Sequence, residues 1–98
     1  MTNITTTQLK ERISQGESPN LLDVREPDER SEYNIGGTFI PLGNVMSMQT
    51  DEIAEWQNQE VIIYCRSGRR SLQAGMMLES LGFTNVKNLE GGMLAWNS

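Results

Sequence analysis

Short apolar runs alternate along this chain with polar segments of helical period. Thr5-Thr6-Thr7-Gln8 offers N-cap hydroxyls, with Gln8 three residues after Thr5 in capping-box spacing. Leu9 and Ile13 come next at i and i+4 on one helical face, and Gly16 is placed to close that helix. Leu21-Leu22-Asp23-Val24 predicts a strand. Pro27 starts a short helix over 27–33, because proline suits a first turn. Thr38-Phe39-Ile40 predicts a second strand, stopped by Pro41. Within 46–57, Ile53 and Trp56 at i, i+3 favour a helix. Val61-Ile62-Ile63-Tyr64 is continuous and β-branched, the clearest strand. Ala74, Met77, Leu78 and Leu81 at i, i+3, i+4, i+7 predict a helix over about 69–81, ended by Gly82. Val86-Lys87-Asn88-Leu89 begins another strand, and Gly91-Gly92 turns into a last short helix holding Trp96.

Short strand runs without clean alternation are what strands buried on both faces look like. Alternating with helices, they predict an α/β architecture with a mostly parallel sheet. In such sheets the active site lies beyond the C-terminal ends of the strands, which directs attention to the segment after Tyr64. At 98 residues the chain fits one domain, residues 1–98, since two would each be too small for a core. No run approaches the ~20 apolar residues needed to span a bilayer. The polar Met1-Thr2-Asn3-Ile4 lacks the basic-then-apolar pattern of a signal peptide, so a cytoplasmic protein is expected, with no membrane partner.

Two absences narrow the chemistry. The chain has no histidine, which excludes Ser-His-Asp and Cys-His nucleophile pairs within it. It has one cysteine, Cys65, which excludes an internal disulfide, a CxxC pair and a cysteine/histidine zinc site; no metal or cofactor is expected. The formal net charge of -5 argues against a nucleic-acid partner, which calls for clustered positive charge.

Yet three of the eight Lys+Arg residues, Arg66, Arg69 and Arg70, fall within five positions after Cys65. Gly68 permits the tight loop Cys65-Arg66-Ser67-Gly68-Arg69-Arg70-Ser71, and the loop meets a helix N-terminus that favours an anion. Nearby cations and a helix N-terminus lower a cysteine pKa, so Cys65 is expected to be an activated thiolate in a cradle for a small anion. A buried structural cysteine is the ordinary alternative for a lone thiol. For the arginines the alternative is pairing with surface carboxylates at a solvated helix start, disfavoured because cations there oppose the helix dipole.

The chain resembles the single-domain rhodaneses, a sulfurtransferase family, over about Ile4 to Trp96. The matching pieces are Leu21-Leu22-Asp23-Val24-Arg25-Glu26, Ile40-Pro41-Leu42, Val61 to Ser71, Leu81-Gly82-Phe83 and Gly91-Gly92-Met93-Leu94-Ala95-Trp96. The resemblance implies a mostly parallel sheet of about five strands with helices on both faces. It also implies sulfane-sulfur transfer in two steps. Cys65 would take the outer sulfur of thiosulfate or another small anionic donor as a persulfide, then pass it to cyanide, a thiol or a sulfur-carrier protein. Backbone N–H groups of residues 66–70 would stabilise the persulfide, and Arg66, Ser67, Gly68, Arg69 and Arg70 would form the donor site. Such proteins are expected as monomers or weak dimers. Asp23 and Arg25 match the family's Asp-Val-Arg and are read as an internal brace, Trp96 as core packing. Where the family usually shows Gly-His-Ile-Pro-Gly-Ala, this chain has Tyr33-Asn34-Ile35-Gly36-Gly37-Thr38, a turn expected to be looser.

Two other readings stand beside this one. A sulfur-carrier or docking module would turn over little by itself, though docking domains of this family typically lack the cysteine. A cysteine phosphatase or arsenate reductase would use Cys-x5-Arg, but the sixth position after Cys65 is Ser71 and Arg70 falls one short. Tyr64 also stands where a phosphatase usually has histidine. Cell-cycle phosphatases on this fold carry a loop one residue longer.

Overall fold

Residues 1–98 are described by a computed structural model, in which five strands make one sheet of order β1-β5-β4-β2-β3. The strands are β1 (Thr2–Ile4), β2 (Asn20–Asp23), β3 (Thr38–Phe39), β4 (Glu60–Tyr64) and β5 (Asn85–Leu89), every neighbouring pair parallel. The helices are α1 (Thr6–Ser14), α2 (Pro27–Glu32), α3 (Leu42–Met46), α4 (Arg69–Ser80) and α5 (Gly92–Trp96), with a 3-10 segment at Asp51–Trp56. None is long and apolar enough to cross a membrane.

The expected α/β parallel sheet is therefore present, and β4 is its most buried strand. Val61 and Ile63 point to one face, with Leu22, Ala74, Leu78 and Val86. Ile62 and Tyr64 point to the other, with Ile4, Leu9, Leu89 and Met93. Burial on both faces explains why β4 reads as an unbroken apolar run. α3 and α4 lie against each other, as do α1 and α5. Trp96 is half-buried against the second cluster, as expected, and carries Lys10 Nζ 4.9 Å above its ring.

Several local features depart from the sequence reading. β1 was not anticipated: two of its three residues are exposed, and it exists by pairing Thr2, Asn3 and Ile4 with Lys87, Asn88 and Leu89. The helix expected in 46–57 is a 3-10 segment over Asp51–Trp56 alone, and α3 lies before it and was not anticipated. α3 ends at Met46 with Ser47 as its C-cap, Met48 adopts a positive φ of 63°, and the Asp51–Trp56 turn is kinked at Ile53. Ile13 is 39% exposed, not buried with Leu9. It is Arg12 that the last turn of α1 directs to the sheet, onto Glu60. The capping box is as read, with Gln8 N–H donating to Thr5 Oγ1 at 3.1 Å and Thr5 N–H to Gln8 Oε1 at 2.9 Å.

Glu60 ties three elements together at the start of β4. Its carboxylate accepts from Arg12 Nη2 at 2.6 Å and Nη1 at 3.1 Å, and from Lys87 Nζ at 2.5 Å. The Arg12 hydrogen bonds, with help from Lys87 and against partial burial, lower its pKa from 4.5 to about 2. A carboxylate depressed by folding stabilises above its unfolded pKa and loses that contribution as pH falls through the folded one. Glu60→Gln is accordingly expected to lower stability at pH 7 and to soften its decline between about pH 4.5 and 2, checked by urea unfolding across that range. Equal pH slopes for variant and wild type would show that Glu60 gains nothing from folding.

Candidate active site

β4 runs its last residue, Tyr64, straight into Cys65, and the chain then turns within three residues into α4. The turn depends on Gly68, whose φ of 101° lies in the left-handed region. That conformation aims the Gly68 N–H back at the sulfur, at 3.0 Å from Cys65 Sγ. The loop is also held from behind by α5. Met93 N–H donates to the Cys65 carbonyl at 2.9 Å and Leu94 N–H to the Arg66 carbonyl at 3.0 Å. These are first-turn donors of α5, with no partner inside their own helix. Gly92 makes this approach possible, because a Cβ there would fall 2.5 Å from the Cys65 carbonyl oxygen and 2.6 Å from that of Arg66.

Cys65 is fully buried at the edge of an apolar cluster, but its sulfur is not inert. Ser71 Oγ, from the first turn of α4, lies 3.3 Å away. Burial pushes the thiol pKa up; hydrogen bonds from the Ser71 side chain and the Ser71, Gly68 and Ser67 backbone outweigh it and hold it below the ordinary 9.0. The direction is the one the sequence reading expects, and its causes are the loop and helix-start hydrogen bonds of that reading, with the Ser71 hydroxyl added. Hydrogen bonds account for the lowering.

The loop arginines are not equivalent. Arg66 and Arg69 are exposed beside the loop. Arg70 is committed to Glu29 of α2 through a two-pronged ion pair, Nη1 to Oε1 at 2.6 Å and Nη2 to Oε2 at 2.9 Å. Carboxylate pairing, disfavoured from sequence, is thus what Arg70 does. The Arg70 hydrogen bonds lower the Glu29 pKa to about 2, and the Glu26 N–H adds to the effect. Arg70 still lies close enough to attract a charge on Cys65.

Asp23 and Arg25 form the internal brace read from the sequence. Arg25 Nε and Nη2 each reach an Asp23 oxygen at 2.9 Å, and both residues are buried. Arg30 extends the brace, donating to the Gly36 carbonyl at 3.2 Å and to that of Gly37 at 2.9 Å. Tyr64 Oη donates to the Gly36 carbonyl at 2.9 Å. The Gly36-Gly37 turn expected to be loose is therefore clamped by two side chains. A cleft of about 260 Å³ opens beside the loop, lined by Arg25, Glu29, Tyr33, Arg66 and Leu94 among others.

Ser71, Asn88 and Glu29 belong to the site and were not singled out from the sequence. Ser71 Oγ is 2.5 Å from Asn88 Oδ1, and Asn88 Nδ2 donates to the Gly68 carbonyl at 3.1 Å. A signal for Asn88 was present: two positions after Val86, it puts an amide on a face where an apolar residue belongs.

The Rhodanese-like domain family model matches residues 5–98. YrkF of Bacillus subtilis, provisionally named a sulfur carrier protein, is 41% identical over 88 residues, covering 89% of this chain and 46% of YrkF, so the chain spans about half of that relative. A protein of Allochromatium vinosum named sulfurtransferase is 35% identical over 88 residues, covering 90% of this chain and 80% of its own length. Among solved structures, a rhodanese-like domain protein from Staphylococcus aureus superposes with a TM-score of 0.83 at 31% identity, covering 98% of this chain and 91% of that one.

Because α5 supports the loop through a contact only glycine permits, Gly92→Ala is expected to cost about 1–3 kcal/mol in urea unfolding and to raise the reactivity of Cys65 toward an alkylating probe. Gly43→Ala, where an added Cβ meets nothing within 4 Å, is the matched control and should cost nothing. Wild-type stability in Gly92→Ala would show that the loop does not rest on α5.

Proposed function

Since the chain belongs to the rhodanese-like domain family, we propose that it is a sulfurtransferase working through a Cys65 persulfide. The observation that carries this reading is the sulfur's environment. A buried thiol is held below its ordinary pKa by donors that converge on one atom at the C-terminal end of a central parallel strand. In the first step the Cys65 thiolate attacks the outer sulfur of thiosulfate or a comparable donor. The Sγ–S bond forms, and the donor's S–S bond breaks with its electron pair leaving on sulfite. A thiolate or cyanide then attacks the outer persulfide sulfur, and the pair returns to Sγ. One difficult transfer becomes two easier displacements. No general base is required, which suits a chain without histidine.

Arg66 and Arg69, both exposed, draw in the donor anion; Arg70 is already engaged by Glu29 and contributes mainly its field at the sulfur. The Ser67 and Gly68 N–H groups serve the charged sulfur as an oxyanion hole serves oxygen. A second reading has a specific motive in the relative named for sulfur carriage: Cys65 would be loaded by a partner protein, with little turnover of small donors.

Intact-protein mass after incubation with thiosulfate and gel filtration separates these readings. The expected result is a gain of one sulfur atom on the wild type, reversed by cyanide or dithiothreitol and absent from Cys65→Ser. No gain on a folded protein with a free thiol would move the assignment to partner-loaded carriage. Arg66→Ala and Arg69→Ala are each expected to raise the KM for thiosulfate about tenfold with a smaller change in kcat, as for loss of one charged contact. Unchanged KM in both would remove them from donor binding.

A further inference from the structure

Asn88 is a buried amide on an otherwise apolar strand face, and its orientation is decided by its neighbours. The Gly68 carbonyl, 3.1 Å away, can only accept, so Nδ2 must face it. Oδ1 is left facing Ser71 Oγ at 2.5 Å, where it too can only accept. A serine hydroxyl has a single proton. With that proton on Asn88, Ser71 presents a lone pair to Cys65 Sγ at 3.3 Å. This suits a thiol, which donates its own S–H to Ser71. It does not suit a thiolate, which has no proton to give.

We propose that the Ser71 hydroxyl is a two-position donor governed by Asn88, turned to Asn88 Oδ1 while Sγ is uncharged and onto Sγ when Sγ bears charge. Ser71, in contact with the reacting atom, is then a catalytic residue, and Asn88 a positioning residue acting through it. The consequence rests on the sulfur-transfer reading. Sγ is anionic as the nucleophile in loading and again as the leaving group in unloading. In the persulfide the charge sits one atom further out, on the added sulfur, and the hydroxyl returns to Asn88. The donor thus keeps Sγ available as thiolate for loading and stabilises it as the leaving group in unloading without deepening the loaded state, and it is in unloading, where charge develops on Sγ, that this stabilisation raises rate. Gly68 N–H donates to Sγ from a fixed backbone position, with no second acceptor to turn to, and cannot supply this selectivity. Charge reaches the sulfur from Arg70 of α4, itself held by Glu29 of α2, with Arg66 and Arg69 exposed alongside; Ser71 and Asn88 are uncharged, so substituting them alters no charge.

The test is the pH profile of Cys65 alkylation by iodoacetamide in the folded full chain, for wild type, Ser71→Ala, Asn88→Ala and the double variant. Asn88→Val, which suits a strand and lacks an acceptor, repeats the measurement should Asn88→Ala fold poorly. Ser71→Ala is expected to raise the midpoint. Asn88→Ala or Asn88→Val is expected to lower it by about half a unit to one unit, because the hydroxyl no longer has to leave a competing acceptor. In the Ser71→Ala background the same Asn88 change should leave the midpoint where it is. Equal shifts in both backgrounds, an upward shift from the Asn88 changes, or none would each overturn the proposal, assigning Asn88 to support of Gly68 alone. Alkylation needs no sulfur donor, so this result stands apart from the thiosulfate experiment: a protein that takes up no sulfur would still report whether Asn88 acts through Ser71.

Discussion

The sulfur atom proposed to carry charge is buried at the edge of an apolar core, and the structure around it bears on that conflict. An unpartnered buried anion is prohibitively costly, so donors must come to it. They come from a loop bent back on itself by Gly68 and from the first turn of α4. Neither arrangement would persist if the loop were free. α5 grips the carbonyls of Cys65 and Arg66 from behind, and Asn88 grips the carbonyl of Gly68 from the side. The loop's amides can face inward because its carbonyls are occupied elsewhere.

The same economy governs the ion pairs. Asp23 and Arg25 are both buried, and a pair of that kind is more effective at holding one geometry than at adding stability. It sits where β2 ends, one strand over from Cys65, and its partner Arg30 fastens the chain that enters β3. Glu29 plays a comparable part for Arg70, drawing the guanidinium toward α2 and leaving Arg66 and Arg69 as the exposed cations of the loop. The positive charge concentrated after Cys65 is thus divided between one structural arginine and two available ones. The division reflects side-chain reach and partner position, which spacing along the chain does not encode.

Local chemistry made much of this legible in advance. An apolar run bounded by polar segments identified β4, the i, i+3, i+4, i+7 pattern identified α4, and a capping box identified α1. The cysteine loop stood out because an acidic chain places three arginines beside its only thiol. Elements without an apolar signature of their own were missed. β1 exposes two of its three residues and forms only because β5 offers an edge, while α3 buries only Val45. The break between α3 and the Asp51–Trp56 segment turns on Met48 adopting a positive φ, which its side chain does not favour and the surrounding turn imposes.

What the sequence by itself determined is the class of fold and the loop to which its chemistry is assigned by proposal, because hydrophobic periodicity and strand-to-helix order are properties of neighbouring residues. What only the tertiary structure decided is which groups act on the sulfur. Ser71 and Asn88 are separated by 17 positions, and Glu29 and Arg70 by 41; each pair meets because parallel strands and their crossover helices bring distant segments to one end of the sheet. Hydrogen bonds and ion pairs act over a few ångströms, and that proximity is a property of the fold.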